Sequence, residues 1–142
     1  MTSVEAVDEV VDLTSTLIRF DTSNTGELET TKGEADCAHW VSQQLEEVGY
    51  QTVYVESGAP GRGNVFATLP GADSSRGKLL VHGHLDVVPA EAADWSVHPF
   101  SGAVENGYVW GRGAIDMKNM VGMMIAVARH FKRTGIVPPR DL

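Results

Sequence analysis

The chain has 142 residues, one cysteine and a formal net charge of -8, which suits one modest domain, or part of a larger one, without an intrachain disulfide. Its ordinary apolar and charged fractions exclude a disordered segment. An acidic balance without any basic run gives no reason to expect nucleic acid or an anionic membrane as partner.

The opening MTSVEAVDEVVDL lacks the basic start and apolar core of a secretion signal, and no apolar run reaches membrane-spanning length. A cytoplasmic protein is the resulting expectation. Thr2 and Glu5 have capping-box spacing, and Val4, Val7, Val11 and Ile18 recur behind them at helical intervals. The small polar residues of DTSNTGE end that helix. Thr31 and Glu34 repeat the capping-box spacing, followed by an apolar stripe of Ala38, Val41, Leu45 and Val48 and by Gly49 as a stop. Cys37 lies within this stripe and is expected to be a buried, inert thiol.

The period then changes. YQTVYV, NVFATL and KLLVHG read as three strands, punctuated by ESGAPGRG and PGADSSRG. The near-continuous apolar run KLLV predicts a central strand covered on both faces. GAVENGYVW carries Asn106-Gly107 between two short apolar segments, which predicts a hairpin. From Met117 the helical period returns, with Met117, Met120, Val121, Met124, Val127, Ala128 and Phe131 on one apolar face. Arg129, His130, Lys132 and Arg133 crowd its last turn, and Gly135 with Pro138-Pro139 ends it. This order predicts a layered α/β fold, a mixed sheet flanked by helices.

Two stretches carry chemistry. In VHGHLDVVP, His82, His84 and Asp86 alternate just past an apolar run, so all three could share one face of an extended strand. A histidine with an aspartate two residues on suits a metal, because the carboxylate can take one ring N–H while the other nitrogen holds the ion. Spacing does not choose between His82 and His84. In WGRGAIDMK, Gly111 and Gly113 precede Asp116 at the junction with the last helix, where glycines permit close backbone approach. Asp116 could present both carboxylate oxygens inward there, or simply cap the helix.

Taken together, GHLDVVP, DWSVHPFSG and NGYVWGRGAIDMK resemble in order and spacing the dinuclear zinc amidohydrolases and peptidases, the family of acetylornithine deacetylase, succinyl-diaminopimelate desuccinylase, aminoacylase and carboxypeptidase G. LIRFDTSN and the two opening helices are similar to that family's N-terminus. The resemblance implies that His84 binds one zinc, that Asp86 orients His84, and that Asp116 bridges two zinc ions, with cobalt as a possible substitute. His82 occupies no ligand position. Trp95, Pro99 and Phe100 match an aromatic-proline segment that packs near the site. Arg112 and Lys118 are expected to hold the loop by hydrogen bonds, and the Asp116–Met117 peptide bond to be cis.

The resemblance further implies a metallopeptidase-type hydrolase acting on the amide bond of a small N-acylated amino acid or peptide, with a dipeptidase or carboxypeptidase as alternative and a non-catalytic binding or assembly module as the reading from another class. It implies a glutamate general base and further ligands beyond the helix that ends near Arg133, a later dimerisation or lid domain, and a homodimer as the full-length protein. On that reading residues 1–142 form the N-terminal part of a catalytic domain and are inactive alone. Glu46-Glu47 is expected to be a solvated helix face rather than a substitute acidic pair.

Overall fold

In the computed structural model, residues 4–56 and 58–142 are described. Helix α1 spans Ala6–Arg19, α2 Ala35–Glu46 and α3 Lys118–Thr134. Two antiparallel ladders complete the fold, β1 (Thr52–Glu56) with β2 (Gly63–Ala67) and β3 (Val104–Glu105) with β4 (Tyr108–Val109). The α/β layering is as expected: α1 packs on α3, and α2 lies between α3 and the β1–β2 ladder. Leu13 and Leu17 of α1, Val41 and Leu45 of α2, and Val121 and Ile125 of α3 meet in the core.

The helix starts differ from the capping boxes read in the sequence. Thr2 lies outside the described residues. Glu5 is instead the N-cap of α1, and its backbone N–H donates to Asp8 Oδ2 at 2.9 Å. Glu34 is the N-cap of α2 without any side-chain cap bond, while Thr31 Oγ1 donates to the Glu27 carbonyl at 2.8 Å within the preceding turn. Small hydroxyl residues bond turns as readily as they cap helices, and here the turn wins.

The buried faces of α1 and α3 differ in part from the predicted stripes, although Val121 is buried and Met117, Ala128 and Phe131 pack against the core as predicted. Val4, Val7 and Val11 are exposed, Ile18 is buried as predicted, and Leu13, Thr14 and Leu17 are buried beside it. On α3 the buried residues are Lys118, Val121, Gly122, Ile125, Ala126 and Arg129, whereas Met120 and Val127 are exposed. The cause is a close approach of the two helices. A Cβ at Gly122 would stand 2.3 Å from Thr14 Oγ1, so α3 turns its glycine edge, not its methionines, toward α1. Arg129 completes the contact, with Nε donating to Glu9 Oε2 at 3.1 Å and Nη1 to Glu47 Oε2 at 3.0 Å. Glu46 and Glu47 are exposed as expected, although Glu46 also accepts from Ser42 and Thr52.

KLLV does not form the predicted central strand. Among the described residues its only backbone ladder partner is the Asp141 carbonyl, which accepts from Leu79 N–H at 2.9 Å, and Leu79, Leu80 and Val81 are 50%, 73% and 57% exposed. A central strand needs paired neighbours on both edges, and an apolar run reports a capacity for burial without saying which polypeptide supplies it. The hairpin is formed as predicted: Asn106 and Gly107 have φ of 54° and 81°, the two positive values of a type I′ turn.

Cys37 is 1% exposed, and burial pushes its thiol up to about 11 against a lowering by Lys118. The thiolate is the reactive form, so the folded chain should leave Cys37 unmodified by iodoacetamide at mildly alkaline pH while the urea-unfolded chain reacts fully. Mass spectrometry counts the adducts, and rapid native-state alkylation would contradict the burial.

Candidate functional site

Four segments converge beside the N-terminus of α3. The turn after α1 lies parallel to residues 85–87: Thr22 Oγ1 donates to the Leu85 carbonyl at 2.6 Å, Val87 N–H to the Thr22 carbonyl at 3.1 Å, and Asn24 N–H to the Val87 carbonyl at 2.8 Å. From the other side, the loop after β4 is pinned by Arg112 N–H on the Pro99 carbonyl at 2.7 Å and by Lys118 N–H on the Gly113 carbonyl at 2.8 Å. Gly111 and Gly113 are required there. Their φ values are 145° and 87°, and a Cβ would stand 2.3 Å from Ile18 Cγ2 in the first case and 2.9 Å from Val87 Cγ1 in the second.

This scaffold brings His84, Asp86 and Asp116 together. His84 Nδ1 lies 3.1 Å from Asp86 Oδ1 and 3.0 Å from the Asp86 carbonyl oxygen, and His84 Nε2 lies 3.1 Å from Asp116 Oδ1. Asp116 is not the helix cap. Met117 holds that position, and the Asp116 side chain is 85% exposed at the mouth of a cavity of about 800 Å³ also lined by His84, Asp86, Asn24, Trp95 and Trp110. The Asp116–Met117 peptide bond is cis, as the resemblance implies. Burial lowers the His84 pKa, but hydrogen bonds to the Asp86 main-chain carbonyl and the Asp116 carboxylate and the charges of both aspartates outweigh it, so the net shift is upward.

His82 stays apart. It is exposed, and among the described residues no hydrogen bond or ion pair joins it to the other three. Lys118 holds the loop as predicted, but through α1: its fully buried Nζ donates to the carbonyls of Leu17 at 2.9 Å and Phe20 at 2.7 Å. Arg112 holds the loop through its backbone N–H on Pro99, while among the described residues its buried Nε has no hydrogen-bond partner and the guanidinium lies over the Trp95 ring at 5.2 Å. Pro99 is fully buried and Phe100 half-buried, in keeping with a packing segment.

Sequence reasoning missed Asn24, whose Nδ2 donates to Asp86 Oδ2 at 2.8 Å. Its only signal was its place in LIRFDTSN, and nothing in that stretch points to a partner 62 residues away.

The pair His84 Nε2 and Asp116 Oδ1 suits a metal. A tetrahedral zinc bonded at about 2.0–2.1 Å to nitrogen and oxygen holds those atoms roughly 3.3 Å apart, close to the spacing here. Two donors are still fewer than the three protein ligands of a catalytic zinc. Among the described residues no group of three or more His, Cys, Asp or Glu side chains is arranged to hold a metal ion.

Residues 80–142 match Peptidase family M20/M25/M40. Succinyl-diaminopimelate desuccinylase of Methylorubrum populi is 38% identical over 106 residues, covering 71% of this chain and 26% of that protein. The desuccinylase of Legionella pneumophila is 34% identical over 128 residues, covering 89% of this chain and 30% of that protein. Human carnosine dipeptidase 1 superposes with a TM-score of 0.76 at 24% identity, over 94% of this chain and 30% of its own. An M20 family metallo-carboxypeptidase from Sulfolobus solfataricus superposes with a TM-score of 0.75 at 19% identity, over 98% of this chain and 29% of its own.

The fold is therefore the α/β fold found in peptidases of this kind. Residues 80–142 carry the match to the M20 peptidase family, and the desuccinylase relatives support that family for the chain. It spans 26% to 30% of the length of these four relatives.

Proposed function

We propose that this chain is the N-terminal part of the catalytic domain of a zinc-dependent amide hydrolase that removes the acyl group from a small N-acylated amino acid. The observation that carries the reading is the convergence of His84 Nε2 and Asp116 Oδ1 at 3.1 Å, with Asp86 on the opposite ring nitrogen. The desuccinylase relatives favour the N-acyl substrate class.

In this reading Asp86 keeps the proton on His84 Nδ1 and leaves the Nε2 lone pair directed at the ion. Asp116 would offer Oδ1 beside His84, and its second carboxylate oxygen would be available to a second ion. When bound, zinc supplies the Lewis acidity that polarises an amide carbonyl and acidifies water. Trp95 and Trp110 border the same cavity. The remaining donors and the general base come from polypeptide outside the described residues. The complete enzyme is proposed to be a cytoplasmic homodimer, with cobalt able to replace zinc.

A dipeptidase or carboxypeptidase is the second reading, favoured by the two structural neighbours. Paired assays of the full-length protein that carries this chain on an N-succinyl amino acid and on a dipeptide, with and without zinc, discriminate the two substrate classes. Turnover of neither would favour a binding module.

The donor count also sets an expectation for the 142-residue chain by itself. After dialysis, elemental analysis should find well below one zinc per chain, because two donors make a weak site. Retention of two zincs would mean that further ligands had escaped assignment.

A further inference from the structure

Asp86 has two carboxylate oxygens, and only one of them faces His84. The other, Oδ2, accepts from Asn24 Nδ2 at 2.8 Å. The Asn24 amide is itself held at every polar atom. Its Oδ1 accepts from Gly26 N–H at 3.0 Å, which directs the NH₂ end toward Asp86. Its backbone N–H donates to the Val87 carbonyl at 2.8 Å, so main chain and side chain grip residues on either side of one peptide bond, that of Asp86 and Val87. Thr22 Oγ1 on the Leu85 carbonyl, at 2.6 Å, completes the clamp.

We propose that Asn24 is a positioning residue for the metal site: it fixes the plane of the Asp86 carboxylate, and through it the ring of His84. A carboxylate gripped at one oxygen alone can rotate about its terminal torsion, which is broad and roughly two-fold. Held by Asn24 at Oδ2, it keeps Oδ1 3.1 Å from His84 Nδ1, whose hydrogen bond goes to the Asp86 main-chain carbonyl at 3.0 Å, so Asp86 faces the ring at two points and the ring keeps one orientation. Asn24 touches neither His84 nor Asp116 and acts only through Asp86. The role toward zinc rests on the function proposed above, while the grip on Asp86 and His84 does not.

The test uses the 142-residue chain, labelled with ¹⁵N and free of metal. Native chain should show a His84 Nδ1–H proton resonance that exchanges slowly with water. Asn24→Asp keeps the side-chain shape and the acceptor facing Gly26 but turns a carboxylate oxygen on Asp86. It should speed that exchange about tenfold, in line with the loss of a partner that orients a ligating histidine. In a parallel zinc titration followed on the His84 ring signals, it should raise the dissociation constant by a similar factor, about tenfold. In an Asp86→Ala background, adding Asn24→Asp should change zinc affinity less than about twofold, since residues in contact couple and the effect of Asn24 passes through Asp86.

Three results would overturn the proposal: no protected Nδ1–H in the native chain, an exchange rate unchanged by Asn24→Asp, or an equal loss of zinc affinity with and without Asp86. If Asn24→Asp does not fold, Asn24→Ala is judged by the same readouts. Native chain that binds no zinc at His84, yet shows the exchange result, would sink the metal assignment and leave the Asn24 grip standing.

Discussion

In the protein that carries this chain, His84→Ala and Asp116→Ala are each expected to lower metal-dependent amide hydrolysis by more than 100-fold. Losing an outer partner of a metal-bound histidine already costs roughly 10–100-fold in affinity or activity, and removing the donor atom itself costs more. Asp86→Ala should fall within that lower range, since Asp86 acts on His84 Nδ1 from 3.1 Å without reaching the Nε2 side. His82→Ala is the control. His82 is exposed and outside the cluster, and substitutions of that kind change stability by no more than about 0.5 kcal/mol. Steady-state rates at saturating zinc decide the matter. A loss with His82→Ala as deep as that with His84→Ala would mean that the wrong histidine has been assigned.

Lys118→Ala is expected to destabilise the fold by about 3–5 kcal/mol, and Lys118→Met by about 1–3 kcal/mol. Lys118 is fully buried, and its Nζ satisfies the Phe20 carbonyl just beyond the end of α1, together with the Leu17 carbonyl inside it. Methionine would fill most of the volume of the stem but leave the Phe20 oxygen without that donor. Alanine would add a cavity between α1 and the start of α3. Burial holds the ammonium pKa below its ordinary 10.5, against smaller upward pulls from Cys37 and Asp21. The sign follows directly. A depressed lysine pKa makes this group's contribution to stability greatest above 10.5 and lost as pH falls through the folded value. At neutral pH the hydrogen bonds to α1 offset the cost of the buried charge. Urea midpoints for the two variants separate packing from hydrogen bonding. Equal losses would assign the whole effect to the ammonium, and a stable Lys118→Met would show that the Phe20 carbonyl finds another donor.

The same lysine links stability to the site. Asp116 stands two residues before it, and the Lys118 N–H closes the Gly113 turn at 2.8 Å. A shift of Lys118 toward solvent would therefore move Asp116 against His84. A partly folded Lys118→Ala chain is expected to weaken metal binding even though no donor has changed.

His84, Asp86 and Asp116 were legible in the sequence because each lies inside a short motif whose chemistry is local. GHLD places histidine and aspartate two residues apart on extended chain, and GRGAIDMK places glycines where only glycine fits. Gly111 and Gly113 bear this out, with positive φ and neighbours too close for a Cβ. The Asn106-Gly107 hairpin was legible for the same reason, since the turn's backbone demand is met by those two residues alone. The family was readable in the same motifs.

What lay in the tertiary structure was every question of which surface meets which. Valines recur along α1 at helical spacing, yet Val7 is 77% exposed and Leu17 0%, because the position of α3 decides which side of α1 is covered. Periodicity reports that a helix has an apolar side; it does not weigh a glycine at position 122 that lets another helix approach Thr14. KLLV has the composition of a central strand, but pairing belongs to two segments jointly, and only Leu79 finds a ladder partner among the described residues. Asn24 is the sharpest case. An asparagine in a polar turn looks like any other, and only the fold lays that turn parallel to residues 85–87 and aims its amide at Asp86. Local backbone demands are written residue by residue, whereas a contact across 62 residues exists only once the chain has paid the entropy of closing the loop between them.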